Sequence, residues 1–298
     1  MKSILKIPFI ILLIIIPMSF VATAAEEDLN AKPAIWSIEQ DQSKVYFLGS
    51  VHLLPDDVKW YGGTLKEIVE EADEVVFEVH MTPEKQRHAQ QLTLQNGMLA
   101  PGDSLSNYLS KDEMDFINEQ ALASGIPPAS IINFKPWFAS VALSVSAIIR
   151  EGWNPDSGVD KYIEKNIASR DIKISALEKL EEQMATLYDH PLETQAEMLR
   201  DTIDQLKDIE KVTLDMIDSW SSGDEELMIE TLIKPMFQQE DVYQKLLVQR
   251  NNNWIPVVEE LLTKKQNTLV VAGASHFVGE DGVIKLLSDK GYMIKRVQ

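Results

Sequence analysis

The chain has 298 residues, with 28 Lys and Arg against 47 Asp and Glu, a formal net charge of −19 and no cysteine. Without a dense Lys/Arg stretch it lacks the basic footprint that neutralises phosphates, which argues against nucleic acid as a partner. The missing cysteines exclude disulfides, thiolate nucleophiles, iron–sulfur clusters and Cys-ligated zinc. A hydrophobic content of 45% and a charged content of 25% are those of a globular chain, long enough to bury a substantial core.

The chain begins with Lys2 and Lys6, an apolar run over residues 7–21 (IPFIILLIIIPMSFV) and Ala22-Thr23-Ala24. These are the charged, apolar and small-x-small parts of a secretory signal. Residues 1–24 are therefore expected to be a signal peptide cleaved after about Ala24, and 25–298 an exported, periplasmic protein. An uncleaved anchor is the alternative, disfavoured by the shortness of the run and by Pro17. No later stretch approaches the ~20 apolar residues of a membrane helix.

Buried strands are predicted at 44–48 (KVYFL), 74–79 (EVVFEV), 172–177 (IKISAL) and 268–272 (TLVVA), with a closing strand at 292–297. Thr82-Pro83 reads as an N-cap and first helical position, with Gly97 near the far end. Ser110 and Glu113 form a capping-box pattern before a helix stopped by Gly125. The segment 137–150 (WFASVALSVSAIIR) reads as a core helix. Helices are expected from 181 to about 266, and a last one over 281–290. Residues 25–298 thus read as one α/β domain, a mixed or parallel central sheet with a large helical insertion or cap, largely helical over about 82–170 and 180–266.

Each of the four inner strands ends on a polar residue: His52, Glu78, Glu178 and His276. In open α/β sheets ligands bind beyond the carboxyl ends of the strands, so four such ends can converge. Gly49-Ser50-Val51-His52 and Gly273-Ala274-Ser275-His276 repeat a G-x-x-H pattern, each glycine expected to let the chain turn. Two imidazoles with carboxylates suit a divalent metal, here Mn, Co or Zn, which would acidify a bound water. A buried Glu78 needs a partner, a metal or a salt bridge, and Glu178 is a candidate base or a helix cap. His80 is a further ligand or a polar strand end. Arg250, Asn251, Asn252 and Asn253 precede Trp254, a run that suggests a local function or a helix break. Arg250 is a candidate oxyanion stabiliser and Glu280 a candidate general base. His88 and His190 read as surface residues. There is no G-x-S-x-G, H-E-x-x-H, P-loop or G-x-G-x-x-G.

At these residues the sequence resembles the TraB/GumN family, related to pheromone-shutdown proteins and to the Tiki proteases. The likeness runs from about Ala34 to Val297. It includes Trp36, both G-x-x-H stretches, Phe77-Glu78-Val79, Lys135-Pro136-Trp137, Gly158-Val159-Asp160, Leu177-Glu178, Gln183, Trp220, Gly223-Asp224, Arg250-Asn251 and Trp254. The chain departs from the family pattern at His80, where an acid is usual, and at Ser275, where Gly is usual. The resemblance implies a fold like that of erythromycin-esterase-like and ChaN-like proteins. It also implies a metal-dependent protease with His52, His276 and Glu78 at the metal and Arg250 nearby.

The first expectation is therefore a periplasmic metal-dependent hydrolase of peptide bonds, acting on a peptide or protein. A metal-free hydrolase with a histidine base is the second. A non-enzymatic binder of a hydrophobic peptide, pheromone or haem is the third.

Overall fold

The computed structural model describes residues 30–298, so the expected signal segment lies outside the described residues. The strands are β1 (Ile35–Gln40), β2 (Ser43–Ser50), β3 (Glu74–Phe77), β4 (Lys173–Ala176), β5 (Asn267–Gly273) and β6 (Ile294–Arg296), ordered β4-β3-β5-β2-β1-β6 in one sheet. β2, β5, β3 and β4 run parallel, whereas β1 is antiparallel to both β2 and β6. The fold is thus α/β with a mixed sheet, as the strand and helix patterns predict. β1 itself is absent from the residue-pattern reading. It joins β2 through Asp41-Gln42, two residues with positive φ (48° and 75°), the backbone a two-residue hairpin loop requires.

β5 lies between β2 and β3, and Leu269, Val270, Val271 and Ala272 are all buried. A central parallel strand is covered on both faces, which is why its sequence is a continuous apolar run. β3 carries two buried carboxylates. Glu74, at its start, accepts from Ser175 Oγ at 2.5 Å and Gln266 Nε2 at 2.7 Å, with Lys173 Nζ at 3.0 Å. Glu78 follows its other end.

The described chain divides into two compact units. One holds the sheet and comprises residues 30–80, Asn154–Lys179 and Asp215–Gln298. The other, Met81–Trp153 with Leu180–Leu214, is helical. There the helix Pro136–Arg150 packs on Leu192–Leu206, and Leu143, Ala147, Leu199 and Ile203 fill the core with Ile117 and Leu105. Thr82 caps the helix Pro83–Gly97, and Ser110 and Glu113 make the expected capping box. His190 departs from expectation: it is buried, with Nε2 3.0 Å from the Thr186 carbonyl one turn earlier. The last helix is shorter than predicted, Val283–Asp289, because Gly282 becomes its cap. Among the described residues no helix is long and apolar enough to cross a membrane.

Backbone proximity sets the glycines beside β2. Gly49 lies inside the strand rather than after it, and a Cβ there would sit 3.0 Å from Ala274. Gly158, which precedes the helix Val159–Ile167, faces the His52 carbonyl so closely that a Cβ would overlap it. Gly158→Ala is expected to cost about 1–3 kcal/mol, the usual penalty for overpacking a closed contact. A urea unfolding midpoint equal to that of the wild type would refute this account of the glycine.

Candidate functional site

Because β2, β3, β4 and β5 are parallel, the residues that follow them emerge at one edge of the sheet. Glu78 and Glu178 are held level by the Glu178 N–H donating to the Glu78 carbonyl at 3.1 Å. His276 ends a single 3-10 turn that follows β5. Arg250 comes from the helix Gln249–Leu261, which continues a π-helical turn at Gln244–Val248. The Asn run does not break this helix. Asn251 is fully buried, while Asn252 Nδ2 donates back to the Val248 carbonyl at 2.8 Å.

Arg250 organises the group. Its Nε donates to both Glu178 oxygens at 3.1 Å. Nη2 donates to Glu178 Oε1 at 2.6 Å and Glu78 Oε2 at 2.5 Å. Nη1 donates to the Leu246 carbonyl at 3.0 Å and meets His276 Nε2 at 3.0 Å. These contacts occupy all five N–H donors of a guanidinium. The other Glu78 oxygen accepts the Gly273 N–H at 2.6 Å. Trp254 closes one side, its indole nitrogen 3.3 Å from Glu178 Oε2 and its ring 5.0 Å from the guanidinium carbon and 4.3 Å from the His276 ring.

The hydrogen bonds also fix protons. A guanidinium only donates, so His276 Nε2 accepts and the ring proton lies on Nδ1. Nδ1 then donates to Asn251 Oδ1 at 2.5 Å, and Asn251 Nδ2 donates to the Asp281 carbonyl at 2.7 Å. Burial, reinforced by Arg250, lowers the His276 pKa to about 3, so the ring is neutral. Burial works against ionising Glu78, but Arg250 and its other partners outweigh it and hold the carboxyl at about 2. Glu178 is pushed the other way. Its burial, with Glu78 beside it, outweighs Arg250 and raises its pKa. Two carboxylates share one cation, so a proton arriving here goes to Glu178.

His52 stands in a separate pair. Its Nδ1 is 2.7 Å from Asp160 Oδ2, with side-chain exposures of 20% and 23%. Burial opposes protonation, but Asp160 and then Glu78 overcome it and raise the His52 pKa. Asp160 lies in the first turn of the helix Val159–Ile167, whose entry is pinned by the Val159 N–H donating to the Val51 carbonyl at 2.9 Å. The residue patterns did not single out Asp160; the Gly158-Val159-Asp160 stretch was the available signal. One turn later, Glu164 lies 3.4 Å from His80 Nε2. His80 is thus engaged there rather than with Arg250. Glu280 is 91% exposed and 3.9 Å from Lys285, away from the hydrogen-bonded group.

The donors expected around a metal do not fit one in this arrangement. His276 presents its lone pair to Arg250, and Glu78 and Glu178 already bind a cation. Among the described residues no group of three or more His, Asp or Glu side chains is disposed to hold a metal ion.

The sequence matches the TraB/PrgY/gumN family over residues 34–296, and the chain belongs to that family. No curated protein and no solved structure matches it.

Removing the cation leaves two buried carboxylates uncompensated, so Arg250→Ala is expected to destabilise the fold by about 3–5 kcal/mol. Denaturant unfolding measures it, and a loss below 1 kcal/mol would contradict this balance of charges. His276 also sets a pH dependence. Its folded pKa lies below its ordinary value, so its contribution is complete above pH ~6.5 and is lost as pH falls toward 3. Glu178, shifted upward, opposes this above the ordinary carboxylate range. His276→Gln should therefore flatten the fall in melting temperature between pH 6.5 and 4.5, and an unchanged slope would refute the assignment.

Proposed function

We propose that this member of the TraB/PrgY/gumN family is a hydrolase of carbonyl compounds, peptide amides or esters, working through a histidine base rather than a bound metal. The observation that carries the reading is the hydrogen bond between His52 Nδ1 and Asp160 at 2.7 Å. With Nδ1–H directed to a carboxylate, the lone pair lies on Nε2, and the carboxylate stabilises the imidazolium that forms on proton uptake. The upward shift of His52, caused by Asp160 and then Glu78 against the opposing effect of burial, makes it a stronger base than a free imidazole.

In this mechanism His52 Nε2 removes a proton from water as the oxygen attacks the carbonyl carbon. The tetrahedral intermediate collapses with cleavage of the C–N or C–O bond, and the proton passes from His52 to the departing amine or alkoxide. Arg250 contributes positive potential to the developing oxyanion rather than a hydrogen bond, because its donors are committed to protein groups. Glu178, with its raised pKa, is a second proton carrier. The substrate is a peptide or protein met after export. In the metal-dependent version, Arg250 would first have to release Glu78, Glu178 and His276.

The test is a panel of peptides and chromogenic esters assayed with and without a strong chelator. Turnover that survives chelation and falls about 10²–10⁴-fold in Asp160→Asn is expected. Turnover abolished by chelator and restored by Mn, Co or Zn would favour the metal-dependent peptidase. Stoichiometric retention of a hydrophobic peptide or haem without turnover would favour the binder.

A further inference from the structure

His52 and Asp160 lie 108 residues apart in the chain, so their 2.7 Å contact depends on how the two segments that carry them are held together. The segment after β2 runs antiparallel to the one that leads into the helix Val159–Ile167. The Val159 N–H donates to the Val51 carbonyl at 2.9 Å. Further on, the Leu54 N–H donates to the Asn154 carbonyl at 3.3 Å and the Asn154 N–H to the Leu54 carbonyl at 2.9 Å. His52 is thus bracketed by bonds to the segment that ends in Asp160. The pairing is interrupted, however. Between the two anchor points Pro155–Ser157 forms a single 3-10 turn, capped by the Asn154 side chain, which accepts the Asp156 N–H at 2.8 Å.

None of the residues in that turn is buried, and so short a turn has few hydrogen bonds of its own. It is the place where the register between the two segments is most easily lost. Asp56 closes it from across the gap. Its Oδ1 accepts from Asn154 Nδ2 at 2.9 Å and from Ser157 Oγ at 2.5 Å, the two ends of the turn. Asp56 is exposed, so nothing in the core calls for it. An exposed aspartate ordinarily points into water, whereas this one grips two side chains about a hundred residues further along. A base works only when held within about 0.5 Å of its productive geometry, and a displacement of ~1 Å far from the chemistry can cost ~10²-fold in rate.

We propose that Asp56 is a positioning residue for the His52–Asp160 pair, fixing the 154–157 turn at both ends so that Asp160 meets the imidazole in one register. The catalytic consequence rests on the hydrolase reading; the effect on the pair itself does not. Asn154 shares the task, since its backbone joins Leu54, its amide nitrogen joins Asp56 and its amide oxygen caps the turn.

The experiment compares full-length wild type with Asp56→Ala, Asp56→Asn and Asp57→Ala. Asparagine keeps an oxygen that can accept both bonds but removes the charge. Asp57→Ala removes the same charge one residue on, from a side chain that makes neither bond. Two quantities are read: the NMR signal of the His52 Nδ1–H proton, and kcat and KM on whichever peptide or ester the wild type turns over. In Asp56→Ala the proton signal is expected to broaden through exchange with water, and kcat to fall about 10–10²-fold with KM changed less than about threefold. Asp56→Asn should restore both to near the wild-type values, and Asp57→Ala should change neither. A wild-type proton signal and kcat in Asp56→Ala would overturn the proposal. So would an asparagine variant no better than alanine, or an equal loss in Asp57→Ala, since either would make charge rather than grip the cause. If Asp56→Ala does not fold, Ser157→Ala, which removes one of the two bonds, is read in the same way; a smaller loss in both quantities supports the proposal and no loss overturns it. Absence of wild-type turnover would overturn the hydrolase reading, and the His52 proton signal would then decide for or against the positioning role alone.

Discussion

A buried guanidinium shared by two carboxylates governs this end of the molecule. Removing a charge from water is costly, and the cost is met only when opposite charge and hydrogen bonds replace the water. Arg250 meets it completely, its N–H groups matched to acceptors from four parts of the chain: the carboxylates after β3 and β4, the imidazole after β5 and a carbonyl one turn earlier in its own helical segment. Four segments are thereby tied at one edge of the sheet. Because two negative charges face one positive, the residual imbalance falls on Glu178, whose affinity for a proton rises while that of Glu78 falls.

The edge therefore has a closed half and an open half. In the closed half His276 is neutral, packed on Trp254 and bonded at both nitrogens. In the open half His52 is bonded at Nδ1 to Asp160 and keeps partial exposure. Two histidines that share a sequence pattern thus have opposite shifts, one far below its ordinary value and one above it. The difference is made by the neighbour: a cation faces the first and a carboxylate the second.

Much of this was legible in the sequence. Parallel strands put their carboxyl ends together, so four apolar runs each ending on His or Glu already indicate convergence. What spacing could not tell was who pairs with whom. Asp160 lies 108 residues from His52 in the first turn of a helix, where an acid ordinarily reads as a favourable charge near the N-terminus. The alternation that set His80 beside Glu78 assumed a strand through both, whereas β3 stops at Phe77 and His80 turns to Glu164. Of the two G-x-x-H glycines, Gly273 does mark a turn, the 3-10 turn after β5, whereas Gly49 lies inside β2 and is explained by its close approach to Ala274, a property of the neighbouring segment that sequence does not display. His190 also differs from its polar sequence surroundings: it is buried, with Nε2 3.0 Å from the Thr186 carbonyl and its own carbonyl accepting from Gln195 Nε2 at 2.8 Å.

The position of β5 also has a consequence for how the chain reaches this state. β2 and β3 are close in sequence, yet neither pairs with the other; each pairs with β5, about two hundred residues further on. While the chain is being made, its first two parallel strands remain without their common neighbour until almost the whole polypeptide is available. Ordering so long a loop before any pairing can reward it is slow, as in other topologies of high contact order. Arg250 is made only shortly before β5, so Glu78 waits nearly as long for its counter-charge. The helical unit draws on segments that end at Leu214 and can form its core earlier. Assembly of the sheet and creation of the site are accordingly one late event, and a chain truncated before Asn267 would have neither.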